Sequence, residues 1–196
     1  MRMTTTITAL TAFGIGGVLG AFLLLGNAPA RHGGTIDTTG ATTSPNPLWT
    51  EVQWPFLMDE WGKGKAFRCK AADCGTDVSI YVRAKIGFCN CATGVADDEE
   101  LERLTDFRLV GYPMKAVAAG KPITVAWMKG RSRAYEISGD SRSGKSALSV
   151  AFNDRCDAIV ATAVLGHDRP ATLEPDVIAL LNSAPVMRWA EVTLGL

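Results

Sequence analysis

Four short apolar runs between residues 122 and 165 constrain the fold of this chain more than any other feature. They are PITVAWM, RAYEIS, ALSVAF and DAIVATAVL, and short polar breaks separate them. Alternation of apolar and polar residues is typical of β-strands, and short connections join strands that run antiparallel. The runs therefore predict a four-stranded antiparallel meander. The stretch from Ile159 to Leu165 has little polar alternation, which indicates a central strand covered on both faces.

A hairpin and one or two helices complete the predicted domain. The segments AFRC and DVSIYVRAKIGFC predict two strands that pair around Gly75. ADDEELERLTDF begins with acidic residues and places Leu101 and Leu104 on one side, as a short amphipathic helix does. LEPDVIALLNSA predicts a closing helix, and VMRWAEVTLGL predicts either a final strand or a continuation of that helix. The expected class is α+β, with the helices packed against an antiparallel sheet.

Length and charge limit the number of domains and the class of partner. A chain of 196 residues is long enough for one well-buried domain plus an appendage. Its 20 basic residues are balanced by 20 acidic residues, so no broad positive field favours binding to nucleic acid. We expect a single globular domain over residues 49–196 and no nucleic-acid partner.

An uncharged run from Ile7 to Gly26 predicts a segment that enters the membrane. The run, ITALTAFGIGGVLGAFLLLG, is long enough to cross the hydrocarbon core of a bilayer as a helix. It is followed by NAPA, in which Ala28 and Ala30 occupy the small-residue positions that signal peptidase requires. Residues 1–30 are therefore either an uncleaved transmembrane anchor or a signal peptide that is cleaved near Ala30. Either alternative delivers the rest of the chain to the membrane.

Residues 31–48 predict a flexible linker between this segment and the domain. The sequence RHGGTIDTTGATTSPNPL is rich in Gly, Thr, Ser and Pro and has few apolar side chains. Such a segment does not bury enough apolar surface to offset the entropy lost on ordering. We therefore expect the folded domain to begin near Trp49.

The cysteines predict a disulfide framework. Four of the five fall between residues 69 and 91, and the fifth is distant: Cys69, Cys74, Cys89, Cys91 and Cys156. Such a cluster is typical of disulfides in an oxidising compartment or of a metal site in a reducing one. We favour two disulfides that each join one cysteine of the first pair to one of the second, although four cysteines allow three connectivities. The domain is then expected on the periplasmic side of an inner membrane, or released after cleavage. Cys156 is expected to be a small buried residue, with pairing to the cluster or to another chain as its alternative.

A metal-binding or redox role for the first four cysteines is the alternative hypothesis. Four thiolates are sufficient for tetrahedral zinc. The spacing is not that of a zinc ribbon, because a single residue separates Cys89 from Cys91. No C-x-x-C motif is present, which argues against a redox-active pair. Zinc is therefore the only cofactor that the sequence suggests, and disulfides are preferred to it.

The segment GDSRSGKS, residues 139–146, matches the phosphate-loop pattern G-x-x-x-x-G-K-[ST]. The matching residues are Gly139, Gly144, Lys145 and Ser146. A phosphate loop follows a buried strand and opens a helix, whose free N–H groups bind the phosphates. Here RAYEIS and ALSVAF both predict strands, so we interpret the segment as a hairpin loop. Nucleotide binding is kept as a third hypothesis.

Aromatic residues are concentrated at the start of the domain. WTEVQWPFLMDEW contains Trp49, Trp54, Phe56 and Trp61. Exposed aromatic residues of this kind would anchor a partner protein. The alternative, which we favour, is that they pack against the core of their own domain.

Residues for catalysis are scarce in this sequence. It has two histidines, His32 in the linker and His167 beside Asp168, and nothing assigns a nucleophile to either of them. We therefore predict no catalytic residues and a non-enzymatic accessory or binding domain. Its expected partner is another membrane or periplasmic protein, with residues 7–26 as the contact with the membrane.

Overall fold

The computed structural model describes residues 49–111, 113–138, 144–166 and 170–196. Over these residues the chain forms a mixed domain with one antiparallel sheet and five helices, which confirms the predicted combination of sheet and helices. The predicted membrane or signal segment and the predicted linker lie outside the described residues. Within the described ranges, no helix is long and apolar enough to cross a membrane.

The sheet has eight strands, and every pairing in it is antiparallel. The strands are β1 (Thr50–Val52), β2 (Lys65–Cys69), β3 (Val78–Lys85), β4 (Met114–Ala116), β5 (Lys121–Val125), β6 (Met128–Ile137), β7 (Ser146–Asp154) and β8 (Asp157–Leu165). Their spatial order is β1-β2-β3-β8-β7-β6-β4, and β5 pairs with the part of β6 that β4 leaves open. The four runs predicted as a meander are β5 to β8, and each pairs with the next.

The predicted hairpin around Gly75 is formed by β2 and β3. Cys69 pairs with Val78 at the closed end of this hairpin. The connection contains helix α1 (Ala71–Cys74), which ends at Gly75 with φ +74°. This left-handed conformation is one that glycine adopts without steric strain.

Four further helices follow along the chain. They are α2 (Asp98–Leu104), α3 (Phe107–Val110), α4 (Pro170–Leu181) and α5 (Ala184–Leu194). The total of five exceeds the one or two predicted, because α1 and α3 are single turns of four residues, too short for a helical period to appear in the sequence. The final segment, left open as strand or helix, is helical and buries Val186, Met187, Ala190 and Leu194 at helical spacing.

The two faces of the sheet are covered by different helices. One face, here called the α4/α5 face, packs against the two C-terminal helices, and Ile159 of β8 lies in the same apolar cluster as Leu173 of α4. The next residue, Val160, points to the opposite face and lies in a cluster with Leu101 of α2. We call this opposite side the α2 face. Strand β8 is thus covered on both faces, as predicted.

Candidate functional site

Two buried cations lie on the α2 face of strand β3. The guanidinium of Arg83 donates from Nε to Asp106 Oδ2 (3.0 Å) and from Nη2 to Asp106 Oδ1 (2.6 Å). Its Nη1 atom donates to both carboxylate oxygens of Asp59, at 2.7 and 2.6 Å. The Nζ atom of Lys85 lies 3.0 Å from Asp106 Oδ1. Two cations and two carboxylates therefore form a neutral cluster, in which Asp106 is the buried anion.

The contacts between Arg83 and the carboxylates favour the ionised forms of Arg83 and Asp59. Hydrogen bonds from Arg83 hold the pKa of Asp59 below its ordinary value. Burial disfavours the charged guanidinium of Arg83, but its hydrogen bonds to Asp106 and Asp59 outweigh this effect and raise the pKa of the side chain. Asp59 and Arg83 therefore both stay charged at neutral pH.

The segment between β1 and β2 forms a loop, residues 53–60, whose base is fixed to the α2 face. Trp54 and Phe56 pack edge to face on Tyr81, with ring centroids 6.2 and 4.7 Å away. The two rings also contact each other at 5.3 Å. Asp59 ties the other end of the loop to Arg83. Aromatic packing and a charged hydrogen bond thus hold this loop from both sides.

Two apolar side chains project from the tip of this loop. Leu57 is 91% exposed and Met58 is 68% exposed. They lie between the residues that anchor the loop, so their backbone is held while their side chains contact solvent. Neither residue was predicted from the sequence, in which the aromatic side chains around them are the more prominent feature. The sequence feature that could have indicated them is the apolar tripeptide FLM inside a short connection between two strands.

A pocket of about 480 Å³ opens beside the 53–60 loop. The rings of Trp61 and Phe88 form an aromatic wall, with centroids 4.8 Å apart. The ammonium of Lys85 lies 5.4 Å from the first ring and 5.7 Å from the second, and the guanidinium of Arg103 lies 4.7 Å from the ring of Phe88. Asp106 also lines the pocket. The pocket is therefore lined both by aromatic rings and by charged side chains that are already in ion pairs.

The four aromatic residues predicted as partner contacts or as core are half-buried in the structure. Trp54, Phe56 and Trp61 lie around the 53–60 loop, where each packs on another ring. Trp49 is separate and packs against the apolar cluster of the α4/α5 face. All four contact their own domain, and two of them, Trp54 and Phe56, anchor the loop that carries Leu57 and Met58.

A second ion-pair cluster fixes α2 to the sheet. The carboxylate of Asp98 accepts two hydrogen bonds from the backbone N–H of Gly120, at 3.1 and 3.0 Å, and another from Arg131. Arg133 pairs with Glu102 at 2.6 Å. The hydrogen bond from Gly120 and the guanidinium of Arg131 hold the pKa of Asp98 below its ordinary value.

This lowered pKa predicts a dependence of stability on acid pH. A carboxyl with a depressed folded-state pKa stabilises the fold above its unfolded pKa, and the contribution is lost as the pH falls through the folded-state pKa. We therefore expect Asp98→Asn to destabilise the protein near pH 6 and to have a smaller effect near pH 3. Urea unfolding at both pH values measures this difference, with the exposed Asp73→Asn as the control. A difference from wild type that does not change with pH would contradict the prediction.

The disulfides of the structure correct the predicted pairing. Cys69 is bonded to Cys74, Cys91 is bonded to Cys156, and Cys89 is a buried free thiol. The expectation that Cys89 and Cys91 pair with Cys69 and Cys74 is therefore wrong. Strand β3 spans eight residues between the two groups, and a strand advances by about 3.3 Å per residue, so the groups lie at opposite ends of the hairpin. Cys156 takes the alternative role of a disulfide partner.

The same geometry bears on the zinc hypothesis. The structure does not bring the sulfurs of Cys69, Cys74, Cys89 and Cys91 together, and three of these residues are in disulfides. Among the described residues, no group of three or more His, Cys, Asp and Glu side chains is placed to hold a metal ion.

The described part of the phosphate-loop match continues into a strand. Ser146 is the first residue of β7 and pairs with Glu136 of β6. The carbonyl of Lys145 accepts a hydrogen bond from the N–H of Ile137 at 3.1 Å. Residues 144–146 therefore enter a β-ladder where a phosphate loop would open a helix. Residues 139–143 and 167–169, which include Gly139, His167 and Asp168, lie outside the described residues.

Comparisons with known proteins include a distant structural likeness. No protein-family model matches the chain, and no curated protein matches it. The solution structure of cyanobacterial PsbP (CyanoP) from Synechocystis sp. PCC 6803 is similar with a TM-score of 0.43 and 11% sequence identity. The match covers 67% of this chain and 78% of that chain. At this level of similarity the likeness assigns no function to the chain.

Proposed function

We propose that this chain is a non-enzymatic accessory domain that binds a partner protein on the periplasmic side of an inner membrane. Two disulfides support this location, since such bonds persist in oxidising compartments. The uncharged run of residues 7–26 supports delivery to the membrane, either as an anchor or as a signal cleaved near Ala30. The partner is another membrane or periplasmic protein.

The exposed pair at the tip of the 53–60 loop carries this proposal. Leu57 and Met58 present apolar surface to solvent on a loop held by aromatic packing and by Asp59. Exposed apolar side chains that lie together mark contact sites more often than isolated ones do. Because the loop is already ordered, binding through it requires little further loss of conformational entropy. The flexible thioether of Met58 adapts to the shape of a partner's groove.

The neighbouring pocket indicates the chemistry of the partner. Its aromatic wall, Trp61 and Phe88, suits an apolar or aromatic side chain, and the buried charges of Arg83 and Lys85 are already neutralised. The partner is therefore expected to offer a groove that receives Leu57 and Met58, and an apolar side chain that enters the pocket. An interface of this form buries its apolar residues at the centre and excludes water from them.

We expect the double variant Leu57→Asp with Met58→Asp to lose its partner while keeping its fold. Both side chains are exposed, so the free energy of unfolding should change by no more than about 0.5 kcal/mol. Two buried aspartates at an apolar interface should lower the yield of co-purified partner by a factor of about ten or more. Co-purification from the native membrane fraction measures this loss. In otherwise wild-type protein, a photoreactive residue at position 57 should crosslink to the same partner.

The matched control is Val192→Asp on α5, where the side chain is 76% exposed on the opposite side of the sheet. A photoreactive residue at position 192 should not yield the product that position 57 yields. Equal crosslinking from both positions, or a double variant that retains its partner, would show that the 53–60 loop is not the contact.

A further inference from the structure

Three cysteines meet where the tight turn between β7 and β8 contacts the segment after β3. Cys156 lies in this turn and is bonded to Cys91. The backbone N–H of Cys89 donates to the carbonyl of Cys156 at 3.1 Å, and its thiol donates to the carbonyl of Arg155 at 3.2 Å. We call Cys89, Cys91 and Cys156 the three-cysteine site.

The backbone geometry brings Cys156 within bonding reach of Cys89 as well as Cys91. With an N···O distance near 3 Å and standard backbone bond lengths, the two residues of a backbone hydrogen bond have Cα atoms about 5–6 Å apart. Disulfides form between Cα atoms separated by about 4.4–6.8 Å. The hydrogen bond from Cys89 to Cys156 therefore meets the distance requirement for a disulfide between these two residues.

The two possible disulfides differ in the thiol that they leave free. Cys89 is buried among the apolar residues of the α2 face, whereas Cys91 is exposed. The residue before Cys156, Arg155, has φ +50°, a conformation that non-glycine residues rarely adopt. The turn that carries the shared cysteine is therefore held in a strained backbone conformation.

We propose that these residues form a thiol–disulfide exchange site, which moves the free thiol from buried Cys89 to exposed Cys91. After its proton passes to water, the Cys89 sulfur attacks Sγ of Cys156. The bond between Cys89 and Cys156 forms as the bond between Cys91 and Cys156 breaks. The electron pair leaves on Cys91, whose sulfur takes a proton from water. The number of disulfides is unchanged, so the step needs neither an oxidant nor a reductant.

The exchange gives the domain a covalent contact for disulfide-bearing molecules. A thiolate at Cys91 attacks the disulfide of another molecule, forms a mixed disulfide and releases one thiol of that molecule. Such a molecule has no access to the sulfur of Cys89 while that residue is buried. The chemical class of the ligand is therefore a disulfide, on a protein or on a small molecule.

The surroundings of Cys89 make the exchange slow at neutral pH. Burial raises the pKa of its thiol to about 11, and the carboxylates of Glu100 and Asp157 act in the same direction. The guanidinium of Arg103 acts against them, and Arg155 in the turn is exposed. At pH 7 about one thiol in ten thousand is then a thiolate. The exchange rate should rise about tenfold with each pH unit between 7 and 10.

Thiol counting in single variants of the full-length protein tests the pairing. The protein is purified without reductant, denatured and titrated with a pyridyl disulfide. Wild type should have one free thiol. Cys91→Ser should have none, because Cys89 pairs with Cys156, and Cys89→Ser should also have none. Two free thiols in Cys91→Ser would overturn the proposal, because they would show that Cys156 does not bond to Cys89.

Labelling of native wild type tests the movement of the thiol without relying on a variant. The folded protein is incubated with the same reagent between pH 7 and pH 10, and tandem mass spectrometry of unreduced peptides locates the label. We expect the label on Cys91 together with a peptide link between Cys89 and Cys156, at a rate that rises with pH. A label on Cys89 with the original disulfide intact, or no label at any pH, would contradict the exchange.

Discussion

The variant Asp106→Asn is expected to lower the free energy of unfolding by about 3–5 kcal/mol. The carboxylate of Asp106 is buried and accepts hydrogen bonds from Arg83, and it also pairs with the ammonium of Lys85. Without its negative charge, two cations remain in the buried cluster with one partly exposed carboxylate, Asp59, to balance them. Uncompensated buried charge is one of the few causes of large single-residue effects. Urea unfolding followed by tryptophan fluorescence measures the loss.

Asp59→Asn is the matched control for this variant. The side chain of Asp59 is 31% exposed, and Arg83 keeps its two hydrogen bonds to Asp106 when that charge is removed. We therefore expect a smaller loss than in Asp106→Asn. Equal losses in the two variants, or a loss below about 1 kcal/mol in Asp106→Asn, would show that the buried carboxylate does not hold the cluster together.

Cys156→Ser is expected to cost about 4 kcal/mol of unfolding free energy in the chain-entropy description of disulfides. The bond between Cys91 and Cys156 spans a sequence separation of 65 residues, and its loss frees the unfolded chain to explore many more conformations. The variant also removes the cysteine that is common to the two disulfides of the proposed exchange. Thermal and urea unfolding under non-reducing conditions measure the effect.

The double variant Cys69→Ser with Cys74→Ser is the comparison for this result. Its disulfide spans a separation of five residues, for which the same description gives about 2 kcal/mol. Cys91→Ser should lose less than Cys156→Ser, because Cys89 takes over the bond in the exchange proposed above. A loss in Cys156→Ser that is no larger than in the short-loop variant would contradict the prediction.

Local patterns predicted most of the sheet. The runs that became β5 to β7 alternate apolar and polar residues, and the run that became β8 is almost continuously apolar. The breaks between these runs are short, as they are between antiparallel neighbours. The final segment could not be assigned from the sequence, since the apolar residues of VMRWAEVTLGL fit both the period of a strand and the period of a helix. Its helix is set by packing of Val186 and Leu194 against the α4/α5 face, which is a tertiary effect.

The charged cluster and the disulfides were less accessible to sequence reasoning. Arg83 and Lys85 stand at alternate positions of an apolar strand, which signals one polar face, but their partner Asp106 is 23 residues from Arg83. Burial of such charges depends on contacts that a local pattern does not contain. The predicted cysteine pairing was wrong because of the length of β3. This strand separates Cys69 and Cys74 from Cys89 and Cys91, which had been paired because they are close in sequence.

The disulfide between Cys91 and Cys156 also governs how the domain responds to a protease. A single cut anywhere between these residues produces two fragments that the disulfide still joins. The fragments are interleaved as well, because β3 on the amino-terminal side of the cut pairs with β8 on the carboxyl-terminal side. A nick in this stretch therefore leaves one covalent unit, and two bands separate on a denaturing gel only after reduction.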